Sequence, residues 1–433
     1  MFKKSKGLGI ALLAGMVFAV SVSLQAPLLG AEKTTLRFFM AEDPISKGKF
    51  RIGFDEYEKD YPNIEVKIET VPYAQLHDKQ LIMVEAGKTP DFGIAEMGLA
   101  YSLFKSGGFL ALDDYFAQSD VAKPDDFFEG PWGTMYVDGK IRGMPWESDC
   151  RLVYYNIDMF DNAGLAQPTH GTRTDFTNVN WKQMLDIWKK LTIDTDGSGI
   201  VDQFGFGFVG GEYDHFLHDG ADFYHQVDGK IVDSTASYAT VNEEPFVRFV
   251  QFYVDMVEEK VVPPGYLSYM SYDDTRAMFA EEKMATWVVG PWEYGILDAM
   301  NPDLNYDVTD LPLAEGGYLA SSGGGWHISI YAAAEHPDEA WRGMEYLIKY
   351  TMPASLPCQW SKQILKAQME PRLKIFFEYL PYTKSPSVPF TEITEVWKIT
   401  HRKIQEALLG QKTAQEAMDE AAKEINKVLG YKG

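Results

Sequence analysis

Between residues 34 and 94 the spacing of apolar positions changes period several times. Thr34 to Met40 reads as a strand, Phe50, Phe54, Tyr57 and Tyr61 then recur at helical spacing up to Pro62, and Ile64, Val66 and Ile68 alternate. A spacing of three to four residues puts side chains on one face of a helix, whereas alternation puts them on one face of a sheet. The pattern therefore predicts a βαβ opening. A second helix carries Leu76, Leu81 and Val84, ends at Gly87, and leads into a short strand over Pro90 to Ile94. Units that alternate in this way predict an α/β sheet.

Further along, Asn180 and Gln183 form a capping-box pair before a helix with Met184, Leu185, Trp188 and Leu191 on one face. Phe246 to Val257 reads as a helix closed by Val261-Val262-Pro263-Pro264-Gly265, and Pro337 suits the first turn of a helix bearing Trp341, Met344, Leu347 and Ile348. The last helix starts at Thr413 with Glu416 completing a capping box, turns Met418, Ala421, Ile425 and Val428 inward, and stops at Gly430. No repeat or low-complexity linker interrupts the series, so any lobes are joined by short crossing segments.

At 433 residues the chain is too long for one ordinary core and suits two or three domains. With 45% hydrophobic and 24% charged residues it is globular in composition. Lys3, Lys4 and Lys6 precede an apolar run from Leu8 to Leu24 and small residues at Gly30 and Ala31, which reads residues 1–31 as a secretory signal peptide. Neither Cys150 nor Cys358 lies at the end of this leader, so no lipid-anchor cysteine is expected; export permits a disulfide, and their pairing stays open. The net charge of −23 opposes nucleic acid and anionic lipid, leaving small solutes or proteins as partners.

Two constellations could hold metal. Asp194, Asp196, Ser198, Gly199, Ile200 and Asp202 reproduce the opening of a calcium loop, with oxygen ligands at alternate residues, a glycine at the turn and a backbone carbonyl at Ile200. Gly205 stands where the closing glutamate belongs, so the competing reading is an acidic turn. His215, His218, Asp219, Asp222 and His225 offer helix-like spacings that zinc could use, although histidines in an acidic loop are more often solvated.

Six fragments in order carry a family resemblance: FDEYEKDYPNIEVKI (54–68), AGKTPDF (86–92), SGGFLALDDYF (106–116), DGKIRGMPWESDCRLVYYNIDMFDNAGL (138–165), FAEEKMATWVVGPWEYG (279–295) and SSGGGWHISIYAAAEHPDEAWRGMEYL (321–347). With them the chain resembles family 1 of the extracellular solute-binding proteins, the maltose-binding-protein-like receptors of ABC importers. The resemblance implies an α/β protein of two discontinuous lobes with a central ligand cleft: residues 32–147 and 328–355 in the first lobe, 148–327 and 356–433 in the second. It further implies a monomeric, non-enzymatic, periplasmic or extracellular receptor that closes by hinge motion near Asp149, Trp326 and the Pro353 region and delivers a mono- or oligosaccharide to ABC permease subunits. No cofactor is required beyond, at most, a structural calcium. The competing readings are a receptor for a cationic solute such as a polyamine or amino sugar, and a secreted glycoside-active enzyme.

A carbohydrate presents hydroxyls and C–H faces, so its site needs carboxylates or amides beside flat rings. The resemblance places Trp292, in Gly290-Pro291-Trp292, as a stacking residue and Asp149 as an acceptor of sugar hydroxyls, with Glu147 or Arg151 as substitutes and Trp146 as a lesser platform. Trp326, after Gly323 to Gly325, is a second aromatic candidate. Glu42, Asp43 and Glu96 follow predicted strands and so belong at their carboxyl ends, where open α/β sheets bind ligands. Glu212 and Tyr213 fall roughly where the family has another acid and aromatic. The family pattern departs at Ala95, Gly98 and Leu99, which stand in place of a tryptophan and a charged pair and argue against maltose itself.

Overall fold

The computed structural model describes residues 33–42, 44–97, 99–127, 132, 134–171, 174–266, 271–351, 372 and 374–432. The expected signal peptide, Asp43, Pro353 and Cys358 lie outside them.

The βαβ opening forms as the apolar spacing requires. Strands β1 (Thr34–Ala41) and β2 (Ile64–Val71) run parallel across the helix Pro44–Asp60, and β3 (Phe92–Glu96) joins the other side of β1 after the helix Tyr73–Glu85. Phe50 and Phe54 leave the helix to pack on Phe38 with ring centres 4.8 and 5.1 Å apart, and Phe92 closes the cluster at 4.9 Å. Each such buried ring contributes about 1.5–3 kcal/mol of hydrophobic stabilisation. A hairpin of β4 (Tyr136–Val137) and β5 (Lys140–Ile141) leads to β6 (Met144–Asp149).

The chain then passes through Cys150 and Arg151 into β7 (Leu152–Asn156), the start of a second sheet completed by β8 (Phe204–Gly207), β9 (Met284–Val289) and β10 (Tyr306–Thr309). Its order is β10-β7-β9-β8. The helix Trp181–Leu191 covers it, started by the expected Asn180/Gln183 capping box, with Trp188 stacked on Phe206 at 4.4 Å and donating to Thr286 Oγ1 at 2.7 Å. The chain returns through β11 (Ser321–Ser322) to β12 (Gly324–Ile330), which completes the first sheet in the order β2-β1-β3-β12-β6. Beyond residues 352–371 it re-enters the second lobe, where β13 (Thr383–Lys384) pairs with β11 and the helices Ile393–Leu408 and Ala414–Val428 finish the fold. The Thr413/Glu416 capping box is present and Gly430 turns left-handed at φ 70°. Two crossings are therefore continuous strand-to-strand passages. The first sheet takes Ser148, Asp149 and Gly324 to His327, because β12 pairs with β6 from Gly324↔Asp149 onward; the expected boundaries gave these residues to the second lobe. Cys150 sits buried at the crossing, its thiol donating to Phe376 O at 3.3 Å.

The short helix Lys374–Tyr379 is tied to the second lobe by a histidine clasp. His170 Nδ1 lies 2.8 Å from both Asp310 oxygens and Nε2 lies 2.7 Å from Glu378, while Tyr379 donates to Asp310 Oδ1 at 2.7 Å. Only the doubly protonated imidazole donates to both acids at once. Burial works against that charge, but the hydrogen bonds to Asp310 and Glu378 outweigh it and raise His170 above its ordinary 6.5. Stabilisation from a raised histidine is complete below the unfolded value and fades as pH climbs through the folded one. His170→Gln should thus lower the melting temperature most below about pH 6.5, with the gap to the parent shrinking at higher pH; a gap that ignores pH would rule out charge as the basis of the clasp.

Candidate functional site

The carboxyl ends of the first sheet and the start of one helix in the second lobe meet at a seam. Tyr73 opens the helix that follows β2 after Pro72, Glu96 ends β3, and β12 sets Trp326 opposite both Glu96 and Glu147. From the other lobe comes the helix Tyr213–Tyr224, with Glu212 at its N-cap. Tyr73 donates to Glu96 Oε2 at 2.7 Å, and its ring lies 5.8 Å from Trp326 and 4.6 Å from His215. His215 stacks in turn on Tyr272 at 4.6 Å, and Tyr272 accepts from Trp292 Nε1 while donating to Glu293 Oε1 at 2.8 Å. A file of rings, Trp326, Tyr73, His215, Tyr272 and Trp292, thus spans from one lobe to the other.

Carboxylates flank this file. Arg151 is buried between Asp149, at 2.9 Å from Nη1, and Asp219, at 2.8 Å from Nε, and its guanidinium lies 5.3 Å from the centre of the Trp292 ring. Burial opposes the Arg151 charge, but Asp149, Asp219 and Asp222 together raise its pKa. Asp149 and Asp219 are themselves raised by burial, against the pull of Arg151. Asp149 Oδ1 also accepts from Gly324 N at 3.1 Å. A Cβ at Gly324 would stand 2.8 Å from His218 Cε1 and 3.0 Å from that carboxylate oxygen, so the glycine run serves this close crossing. His215 donates to Glu212 Oε2 at 2.6 Å; burial disfavours its charge, yet Glu212 and the surrounding acids raise its pKa. His218 is lowered well below its usual value by burial and by Arg151. Burial pushes Glu96 up to about 7 although the Tyr73 hydrogen bond resists.

The expected residues separate into two sets. Glu96, Asp149, Arg151, Glu212, Trp292 and Trp326 converge on the seam, and Tyr213 lines a cavity of about 10 Å³ there with Tyr73, Leu76, His77, Gln80, Glu96, Leu99 and Asp214. That is room for about one water, so the two walls are in contact. Glu147 pairs in register with Trp326. Trp146, by contrast, is a core residue, 4% exposed and stacked on Phe50 at 4.9 Å; successive strand side chains face opposite ways, and Met144 and Trp146 both join the core of the first lobe. Glu42 is exposed beyond β1, and Asp43 falls outside the described residues.

The zinc pattern does not assemble. His215 goes to Glu212, His218 to Ser322 Oγ at 2.8 Å, Asp219 to Arg151, Asp222 to Ser321 and Ser322, and His225 to Ser385 O at 2.9 Å. Among the described residues two other trios bring their ligand atoms within 4.8 Å of one another: His170, Asp175 and Asp310, and Glu212, Asp214 and His215. In the Asp194 to Asp202 loop, Asp194 accepts from the amides of Gly197, Ser198 and Gly199, Asp196 from that of Ser198, and Asp202 from Thr195. Ile200 is exposed at its tip.

Tyr73, Asp214 and Tyr272 were not singled out from sequence. Tyr73 carried a usable signal, since it follows a predicted strand exactly as Glu42 and Glu96 do; Tyr272 carried none, because it reaches the seam only through the packing of its helix.

Residues 44–350 match the family of bacterial extracellular solute-binding proteins. A protein of Brucella abortus named as a binding protein is 23% identical over 96% of this chain and 98% of its own length. The maltodextrin-binding protein of Bacillus subtilis is 25% identical over 80% of this chain and 79% of its own. In structure, an ABC transporter solute-binding protein from Thermotoga lettingae, bound with α-D-tagatose, superposes with a TM-score of 0.79 at 24% identity, covering 92% of this chain and 100% of that one.

Proposed function

The chain belongs to the bacterial extracellular solute-binding proteins, and we propose that it is the exported receptor of an ABC importer that captures a mono- or oligosaccharide between its lobes. The observation that carries this reading is the ring file from Trp326 to Trp292, flanked by Glu96, Asp149 and Glu212. Flat rings cover the C–H faces of a sugar while carboxylates accept its hydroxyls. Maltodextrin and tagatose, named for two of its relatives, belong to the same chemical class. Because both lobes supply the rings, a solute that touches all of them favours the closed state. Delivery to permease subunits, action as a monomer and removal of residues 1–31 on export are part of the same proposal.

A thermal-shift screen against carbohydrates, followed by analysis of the recovered ligand, tests it. Stabilisation by a sugar that is recovered intact supports the receptor. Turnover of the sugar would turn the reading to a glycoside-active enzyme, and stabilisation by none would end it.

Calcium in the Asp194 to Asp202 loop is a separate proposal, supported by the alternate placement of Asp194, Asp196, Ser198, Ile200 and Asp202. Chelation should lower the melting temperature and added calcium restore it. Indifference to both treatments would leave a plain turn held by its own amides.

A further inference from the structure

The seam is unevenly charged. Arg151 is committed to Asp149 and Asp219, and His215 is committed to Glu212. Among the described residues, Glu96 and Asp214, which line the same cavity, have only histidine nitrogens within ion-pair distance. Glu96 is nine-tenths buried, and its Oε1 accepts no hydrogen bond from the described residues. His218 Nε2 stands 3.6 Å away, and burial and Arg151 lower the His218 pKa well below its usual value. His215 Nδ1 lies 3.9 Å from Asp214 but only 2.6 Å from Glu212. The remaining basic group of the lining, His77, is held down to about 4 by burial, and Gln80 spends its amide on Ile94 O and Tyr331 Oη.

We infer that the captured solute carries a protonated amino group that seats against Glu96 and Asp214, making it an amino sugar in preference to a neutral one. This rests on the carbohydrate-receptor reading and narrows it. A sugar hydroxyl satisfies one acceptor atom and leaves a buried carboxylate uncompensated, whereas an ammonium donates three hydrogen bonds and neutralises charge. Burial raises Glu96 against the pull of Tyr73, His215 and Arg151, and a bound ammonium would add to that pull and favour the ionised carboxyl.

Titration calorimetry on the mature chain tests this with matched probes: glucosamine, galactosamine, mannosamine and the glucosamine disaccharide, each against its neutral hydroxyl and N-acetylated counterpart. At least one amino probe should bind about tenfold or more tighter than both counterparts, as expected for a desolvated ion pair. Glu96→Gln should bring that ratio down to about one, with Asp214→Asn as the second variant should the first fail to fold. Neutral sugars that bind as well as or better than the amino probes would overturn the amino-sugar inference and leave the carbohydrate receptor standing. Binding of spermidine with silence from every sugar would overturn both readings. A ratio untouched by both variants would remove Glu96 and Asp214 as the seat of the charge.

Discussion

Replacing Arg151 by alanine should destabilise the protein by about 3–5 kcal/mol, the range for removing one partner of a buried ion pair. The side chain is 7% exposed, with Asp149 and Asp219 at 12% and 10%, so water cannot take over the guanidinium's role. Without it, two carboxylates face each other near Asp222, whose Oδ2 already accepts no hydrogen bond from the described residues. The arginine ties the crossing after β6 to the helix Tyr213–Tyr224, so the loss is felt at a buried crossing rather than at a frayed edge. Urea unfolding of parent and variant measures the difference. The triple change Arg151→Met, Asp149→Asn and Asp219→Asn should recover much of the loss, because it removes the uncompensated charges together with their partner. A loss below about 1 kcal/mol in the single variant would mean that the triad is solvated like a surface pair.

Replacing Trp292 by alanine should weaken binding of the best sugar by about 2 kcal/mol or more, roughly a thirtyfold rise in Kd, while the fold persists. The ring is half-buried, held by its bond to Tyr272 and by Arg151 above it. Gly290 is the residue that leaves space for it, since a Cβ there would run into the indole. The ring is therefore fixed before ligand arrives, and a preorganised platform loses little conformational entropy on binding. Calorimetry with the sugar found by screening, together with far-ultraviolet circular dichroism, separates lost affinity from lost structure. An unchanged Kd would remove Trp292 from the site.

The local architecture was open to reading from the chain. Phe50, Phe54 and Tyr57 at helical spacing, Ile64 and Val66 in alternation, and the Asn180/Gln183 and Thr413/Glu416 capping boxes form as their spacing predicts. These features depend on neighbours within a few residues, which a sequence displays directly. Trp146 was misplaced because alternation along β6 defines two faces without saying which one meets the helices. Asp219 and His218 suggested metal or solvent, whereas their partners are Arg151 and Ser322, 68 and 104 residues away. The sequence by itself determined the elements, their caps and the aromatic and acidic stock from which a cleft could be made. Only the tertiary structure decided which members of that stock meet. Tyr73, His215, Tyr272 and Trp292 come from separate segments brought together by the pairing of β12 between β3 and β6 and by the packing of the second lobe, and contacts of that separation leave no periodic trace along the chain.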